Sequence, residues 1–145
     1  FPELVFTGDF TVIVVGRVNS GVDTLCLNHS VSNHQLRKNQ SGHDAATFAG
    51  LGFHSSTAFS GLSSTWQMTT WRRSGTTFSW RQNKTARGTA SEAVQTLKLN
   101  ALCNNTFLGT GFGDDGEVVF YSTHRTDVEL DSLYDSWFKP RWLLP

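Results

Sequence analysis

Reaction chemistry needs acids, bases, nucleophiles or metal ligands at workable spacings, and this chain of 145 residues offers few. Hydrolysis of a glycoside requires two carboxyl groups about 5–10 Å apart on either side of the bond. Asp115 and Glu117 have the two-residue spacing that could place two acids on one strand face, but Asp115 reads as part of a turn flanked by Gly113 and Gly116. Asp114, Asp115 and Glu117 are also the local acidic cluster and hence the candidate calcium ligands. Calcium takes about 6–8 oxygen ligands, so three side chains would leave half of them to carbonyls and water. The competing reading is solvated loop carboxylates, with Glu117 turned inward to hydrogen-bond backbone. Cys26 and Cys103 lack both a patterned histidine partner and a Cys-x-x-Cys spacing; they read as two buried thiols or one long-range disulfide. The histidines (His29, His34, His43, His54, His124) read as surface loop residues, and the gap between His29 and His34 suits neither a strand face nor a helical turn for ligation. There is no Gly-x-Ser-x-Gly elbow and no His-Glu-x-x-His run. No catalytic residue is assigned. The expectation is a protein that is not an enzyme and requires no cofactor, with calcium left open.

Binding has better material. Sugar recognition combines an aromatic platform with planar hydrogen-bonding groups, and Trp71, Arg72, Ser79 and Arg81 gather on one stretch with Arg73. They are the candidate carbohydrate contacts, against the alternative of core tryptophans and plainly solvated arginines. A second candidate surface is the run Trp142, Leu143 and Leu144, whose apolar side chains would suit an interface with other subunits, including copies of the same chain. The alternative is that Trp142 folds back beside Trp137.

Charge excludes other partners. Twelve basic and twelve acidic residues cancel, and the charged fraction of 17% is below the roughly 25% of an average soluble chain. Nucleic acid is therefore not an expected partner, because that attraction needs clustered Lys and Arg. No stretch approaches the ~20 continuous apolar residues of a membrane span, so membrane insertion is not expected. A polar surface of Ser, Thr, Asn, Gln and Gly suits an extracellular or virion surface. Phe1-Pro2-Glu3 has neither an initiating Met nor a signal-peptide pattern, and the chain reads as one domain over 1–145 of a longer or processed protein. The sequons at Asn28, Asn39, Asn83 and Asn104 would matter only in a eukaryotic secretory setting.

The elements that must position these residues are mostly strands. Phe10 to Val18 is β-branched and aromatic and bounded by turns, as a central strand would be. Thr24–Leu27, Gln35–Lys38 and Ala46–Phe53 follow as weaker strands, and Ser55–Thr65 as a loop. Trp66–Arg73 and Thr76–Gln82 flank Ser74-Gly75 as a hairpin. Alternation puts Phe78 and Trp80 on the core face and Ser79 and Arg81 on the other. Thr96–Ala101 and Gly116–Tyr121 are further strands. Thr126-Asp127-Val128-Glu129 then matches a capping box. Leu130, Leu133, Tyr134 and Trp137 form one apolar stripe of a short helix, which Pro140 should end.

The order of hairpin, Leu97-Lys98-Leu99, Gly113-Asp114-Asp115-Gly116-Glu117-Val118-Val119-Phe120-Tyr121 and capped helix resembles the concanavalin A-like lectin/glucanase superfold. The likeness is greatest to its laminin G-like or pentraxin-like domains, found in bacterial secreted and phage structural proteins. The resemblance implies an all-β, antiparallel two-sheet jelly-roll β-sandwich with one short C-terminal helix. It also implies calcium near the rim in some members and glycosidase or lyase activity in others. Where related hairpins have Asn-Gly, this chain has Asn83-Lys84, so Asn83 would have to adopt any left-handed conformation, or the connection would be longer. The expected function is a surface recognition module for carbohydrate or adhesion, with a virion assembly domain as the alternative. Glycan or other protein subunits are the expected partners.

Overall fold

Alternation along the strands sorts apolar and polar side chains onto opposite faces, and the structure, a computed structural model, stacks those faces in layers. It describes residues 1–20, 24–29, 34–40, 43–47, 53–55, 65–91, 96–102 and 112–145. The strands among them are β1 (Leu4–Phe6), β2 (Phe10–Ser20), β3 (Thr24–Asn28), β4 (Gln35–Gln40), β5 (His43–Thr47) and β6 (Phe53–Ser55), followed by β7 (Gln67–Ser74), β8 (Thr77–Gln82), β9 (Thr85–Ser91), β10 (Leu97–Leu99), β11 (Ala101–Leu102) and β12 (Phe112–Tyr121). One sheet has the order β12-β2-β7-β8-β9 and a second the order β11-β3-β4-β5-β6, while β1 and β10 form a two-stranded ribbon. Every pairing is antiparallel. This is the jelly-roll sandwich that the sequence implies. Among the described residues no helix is long and apolar enough to cross a membrane.

The inter-sheet core follows from the period of two. Val12 and Val14 of β2, Trp71 of β7, and Phe78 and Trp80 of β8 are buried with Leu27 and Leu36 of the second sheet and Phe6, Leu97 and Leu99 of the ribbon. Trp71 and Trp80 are direct cross-strand partners. Phe78 and Trp80 pack edge to face, with ring centroids 4.9 Å apart.

Both hairpin turns are tight. Ser74 pairs with Thr77, so the turn residues are Gly75, at φ 56°, and Thr76. Glycine reaches that left-handed region without a Cβ clash. The next turn uses Asn83 at φ 52°, and β9 starts at Thr85, so the connection is not lengthened. Asn83 is fixed there because its Oδ1 accepts the Met68 N–H at 3.0 Å while its own N–H donates to Met68 O at 2.7 Å.

β1 and β9 are additions to the sequence reading. β9 is Thr-Ala-Arg-Gly-Thr-Ala-Ser, small and half exposed at a sheet edge, so it carries no hydrophobic alternation. The segment expected as one strand over 46–53 falls across the end of β5 and the start of β6, and residues 48–52 lie outside the described set, as do Cys103 and the side chain of Cys26. Asp115 is not in a turn. It belongs to β12, opposite Gly16, and a bulge at Gly116 brings Glu117 opposite Val15. A bulge inserts one residue, so the two-residue rule of a regular strand does not run through this point of β12.

The C-terminal helix begins as expected. Thr126 caps α1 (Asp127–Leu133), its hydroxyl accepting the Glu129 N–H at 3.3 Å, while Glu129 Oε2 accepts the Thr126 N–H at 2.7 Å. The helix then differs from the expectation in two linked ways. A π-helical turn at Tyr134–Phe138 inserts extra backbone, so Phe138 is buried rather than Trp137. It also lets the chain run on past Pro140 as α2 (Lys139–Trp142), because the proline then sits in the first turn after the π segment, where its missing N–H costs least.

Candidate functional site

The hairpin residues expected to face a sugar are brought together, but beneath the helix. Trp71 is fully buried between the sheets and presents no ring face. Arg72, Ser79 and Arg81 point to the other face of the first sheet and are themselves buried, Arg81 to 2% exposure. That outer face is covered by Leu130, Tyr134, Phe138 and Leu144, packed on Ile13, Val15 and Met68. Alternation assigned these side chains to the correct faces; the outer face is simply not solvent.

One flank of the helix seals this layer with charge. Asp127, Asp131 and Asp135 recur every four residues, the spacing that aligns side chains on one helical stripe. Arg72 and Arg81 share Asp127, with Arg81 Nη1 2.7 Å from its Oδ1. Arg81 Nη2 reaches Asp131 at 2.5 Å, and Lys84 Nζ reaches Asp135 at 2.5 Å. Arg72 further donates to Ser79 Oγ at 3.0 Å and to Arg125 O at 2.8 Å. Burial alone would raise the Asp127 carboxyl, but the hydrogen bonds and charges of Arg72 and Arg81 outweigh it and hold it below the ordinary carboxylate value. The hydrogen bond from Lys84 to Asp135 likewise raises the lysine. The signal for this ladder lies in the sequence as three aspartates at intervals of four on a predicted helix.

The other flank is open and aromatic. Trp137 is 50% exposed, and its Nε1–H donates to Glu117 Oε1 at 3.1 Å. Trp142 Nε1–H donates to Glu117 Oε2 at 3.0 Å, and Arg141 Nε lies 3.2 Å from the same oxygen. The Arg141 guanidinium also sits 5.4 Å from the centre of the Trp137 ring. Trp142 packs against Trp66 at a centroid distance of 4.7 Å, with the Arg17 guanidinium 5.2 Å from the Trp66 ring. Gly116 makes this possible: a methyl group there would run into the Trp142 ring. Farther along the same helix–β12 seam, Tyr121, Arg125, Val128, Glu129, Ser132 and Leu133 line a groove of about 470 Å³. Sequence reading missed Arg141, four residues after Trp137, because the helix was expected to end at Pro140.

Two other sets of predicted residues lie along the same seam. Three N–H donors converge on Glu117, so its carboxylate does not fit a calcium site; the side chains of Asp114 and Asp115 lie outside the described set. Of the tail residues, Leu144 is buried and Trp142 half-buried in the layer beneath the helix, Trp142 against Trp66, while Leu143 is displayed, at 88% exposure. His29 and His34 are not surface loop residues but buried neighbours.

No family profile and no curated protein matches the sequence. Solved structures do. A heptameric SAP-like pentraxin from Limulus polyphemus matches with a TM-score of 0.65 at 12% identity, over 92% of this chain and 76% of its own. The fold is the concanavalin A-like jelly roll. The same jelly roll appears in a candidate carbohydrate-binding protein from Bacteroides ovatus, with a TM-score of 0.64 at 14% identity over 88% of this chain and 41% of that one. The binding domain of botulinum neurotoxin serotype D/C matches with a TM-score of 0.63 at 13% identity, over 90% of this chain and 37% of its own, so the jelly roll described here spans little more than a third of that domain. A Trypanosoma rangeli sialidase also contains it, within 24% of its length.

Proposed function

We propose that this jelly roll is a non-catalytic surface-recognition module that binds carbohydrate against Trp137, at an extracellular or virion surface. The observation that carries the reading is the half-exposed Trp137 ring, fixed by Glu117 and flanked by Arg141. An anchored ring offers apolar contact at little entropic cost, and the adjacent guanidinium supplies planar donors. A non-catalytic role is supported by the acids. Each described carboxylate side chain is engaged: Glu3 by His29, Asp9 by the Gly75 N–H, Glu117 by three donors, Glu129 by the helix cap, and Asp127, Asp131 and Asp135 by the basic ladder. Asp127 and Glu129 are held below their ordinary values, opposite to what a general acid needs. Among the solved structures of the same fold are a toxin binding domain and a candidate carbohydrate-binding protein.

Glycan-array binding of the protein and of Trp137→Ala tests the proposal. Retained folding with at least about a tenfold loss of glycan signal, or 1.4 kcal/mol, is expected for the variant. An array that shows no ligand, or one indifferent to Trp137, overturns it. The second reading is subunit assembly, favoured by Leu143 displayed at φ 51° next to the packed Leu144. It predicts an oligomer in light scattering that Leu143→Ser dissociates.

A further inference from the structure

The β1–β10 ribbon is fastened to the second sheet by a small cluster of titratable groups, two buried histidines and two partly exposed charges. Glu3, just before β1, places Oε2 2.5 Å from His29 Nε2. His34 Nδ1 accepts the backbone N–H of Lys98, which lies in β10 opposite Val5 of β1, at 3.4 Å. The two histidines are tied by a His29 N–H to His34 O bond of 3.0 Å, their rings are 6.3 Å apart, and they are 9% and 7% exposed. Lys98 Nζ is 3.9 Å from Glu3 Oε1.

We propose that His29, His34, Glu3 and Lys98 form an acid-sensitive latch, and that protonation of His34 releases the β1–β10 ribbon from the ends of β3 and β4. The geometry supplies the reason. A ring nitrogen that accepts a backbone N–H carries no proton of its own, and protonation turns that acceptor into a second donor aimed at the first. The added charge is buried beside Lys98 and His29, with Glu3 as the opposing charge. Burial, then His29, then Lys98 lower the His34 pKa from 6.5, and Glu3 only partly offsets them. The released state, with His34 in water, therefore takes up the proton more readily than the latched one. Latch stability is complete above 6.5, erodes as the pH falls below it, and reaches its minimum once His34 is protonated in the folded protein. The ribbon also carries Phe6, Leu97 and Leu99 in the inter-sheet core, so its release uncovers the edge of that core, and the proposal requires that β8 stay protected when it does.

Amide hydrogen exchange, followed for β1, β10 and β8 at about pH 7 and about pH 5 and corrected for intrinsic rates, reads this opening. Protection of Leu4–Phe6 and Leu97–Leu99 is expected to fall at the lower pH, because the latched His34 is the weaker base, while β8 keeps its protection. His34→Gln should make the ribbon's protection independent of pH. Lys98→Gln, which removes an exposed positive neighbour and leaves the core alone, should reduce the loss. Equal loss in β8 and the ribbon, an undiminished loss in both variants, or constant ribbon protection across this range would overturn the latch.

Discussion

The two faces of the first sheet are built by neighbouring residues of the same strands, yet they are closed by different means. Toward the second sheet, Trp71, Phe78 and Trp80 meet Leu27 and Leu36 in a layer sealed by apolar contact. Toward the helix, Arg72, Ser79 and Arg81 stand beside Ile13, Val15 and Met68 in a layer that is half apolar and half ionic. Apolar contact needs only volume and burial. Buried guanidinium groups need partners at fixed positions, so the outer layer depends on the helix starting, turning and ending at the right residues. A β-sandwich can thus carry one face that tolerates variation and one that demands register.

Substitutions can break this comparison, and the largest effect is expected in the apolar layer. Trp80→Ala should cost about 3–5 kcal/mol in urea unfolding, because its fully buried ring leaves a cavity between two sheets that cannot collapse. In the ionic layer the order of effects should invert normal expectation. Asp131→Ala leaves the buried Arg81 short of a partner and should cost about 1–3 kcal/mol, whereas Arg81→Met, which removes the charge and keeps the volume, should cost less. A larger loss for Arg81→Met would mean that the ladder contributes net stability rather than register. Acid sharpens the same point: the Asp127 contribution is intact above its ordinary value of 3.8 and is lost as the pH falls through the lower value it has in the fold, so helix signals should melt there before the inter-sheet core does. The smallest effect belongs to the cap. Thr126→Ala should cost about 1 kcal/mol and loosen the first turn of α1 without moving the sheets.

What was legible in the sequence follows the same division. The core face of the hairpin, the tight Gly75 turn and the capping box are local patterns, each decided by residues within a few positions of one another. Alternation alone leaves the outer face to solvent, because no pattern within the hairpin says that residues 127–142 return to cover residues 72–81; that fact belongs to tertiary packing. Pro140 reads as a stop in sequence because its effect depends on the hydrogen bonding of the preceding turn, and a π turn leaves no trace in composition. β9 escaped because an edge strand of Thr, Ala, Arg, Gly and Ser has no apolar period to display. His29 and His34, five apart, are joined by a backbone bond across a short excursion that spacing rules do not describe.

The π turn governs more than helix length. An α-helix advances about 100° per residue, so one widened turn resets the azimuth of everything after it. Upstream, Leu130 and Tyr134 set one heading; downstream, Phe138 inherits their inward heading while Trp137 and Arg141 swing to the rim. The pairing of sheet and helix is thereby separated from the choice of which side chains are shown to the outside. A chain of this kind can change its outward chemistry by shifting the phase of a single turn, leaving the sheets beneath it in place.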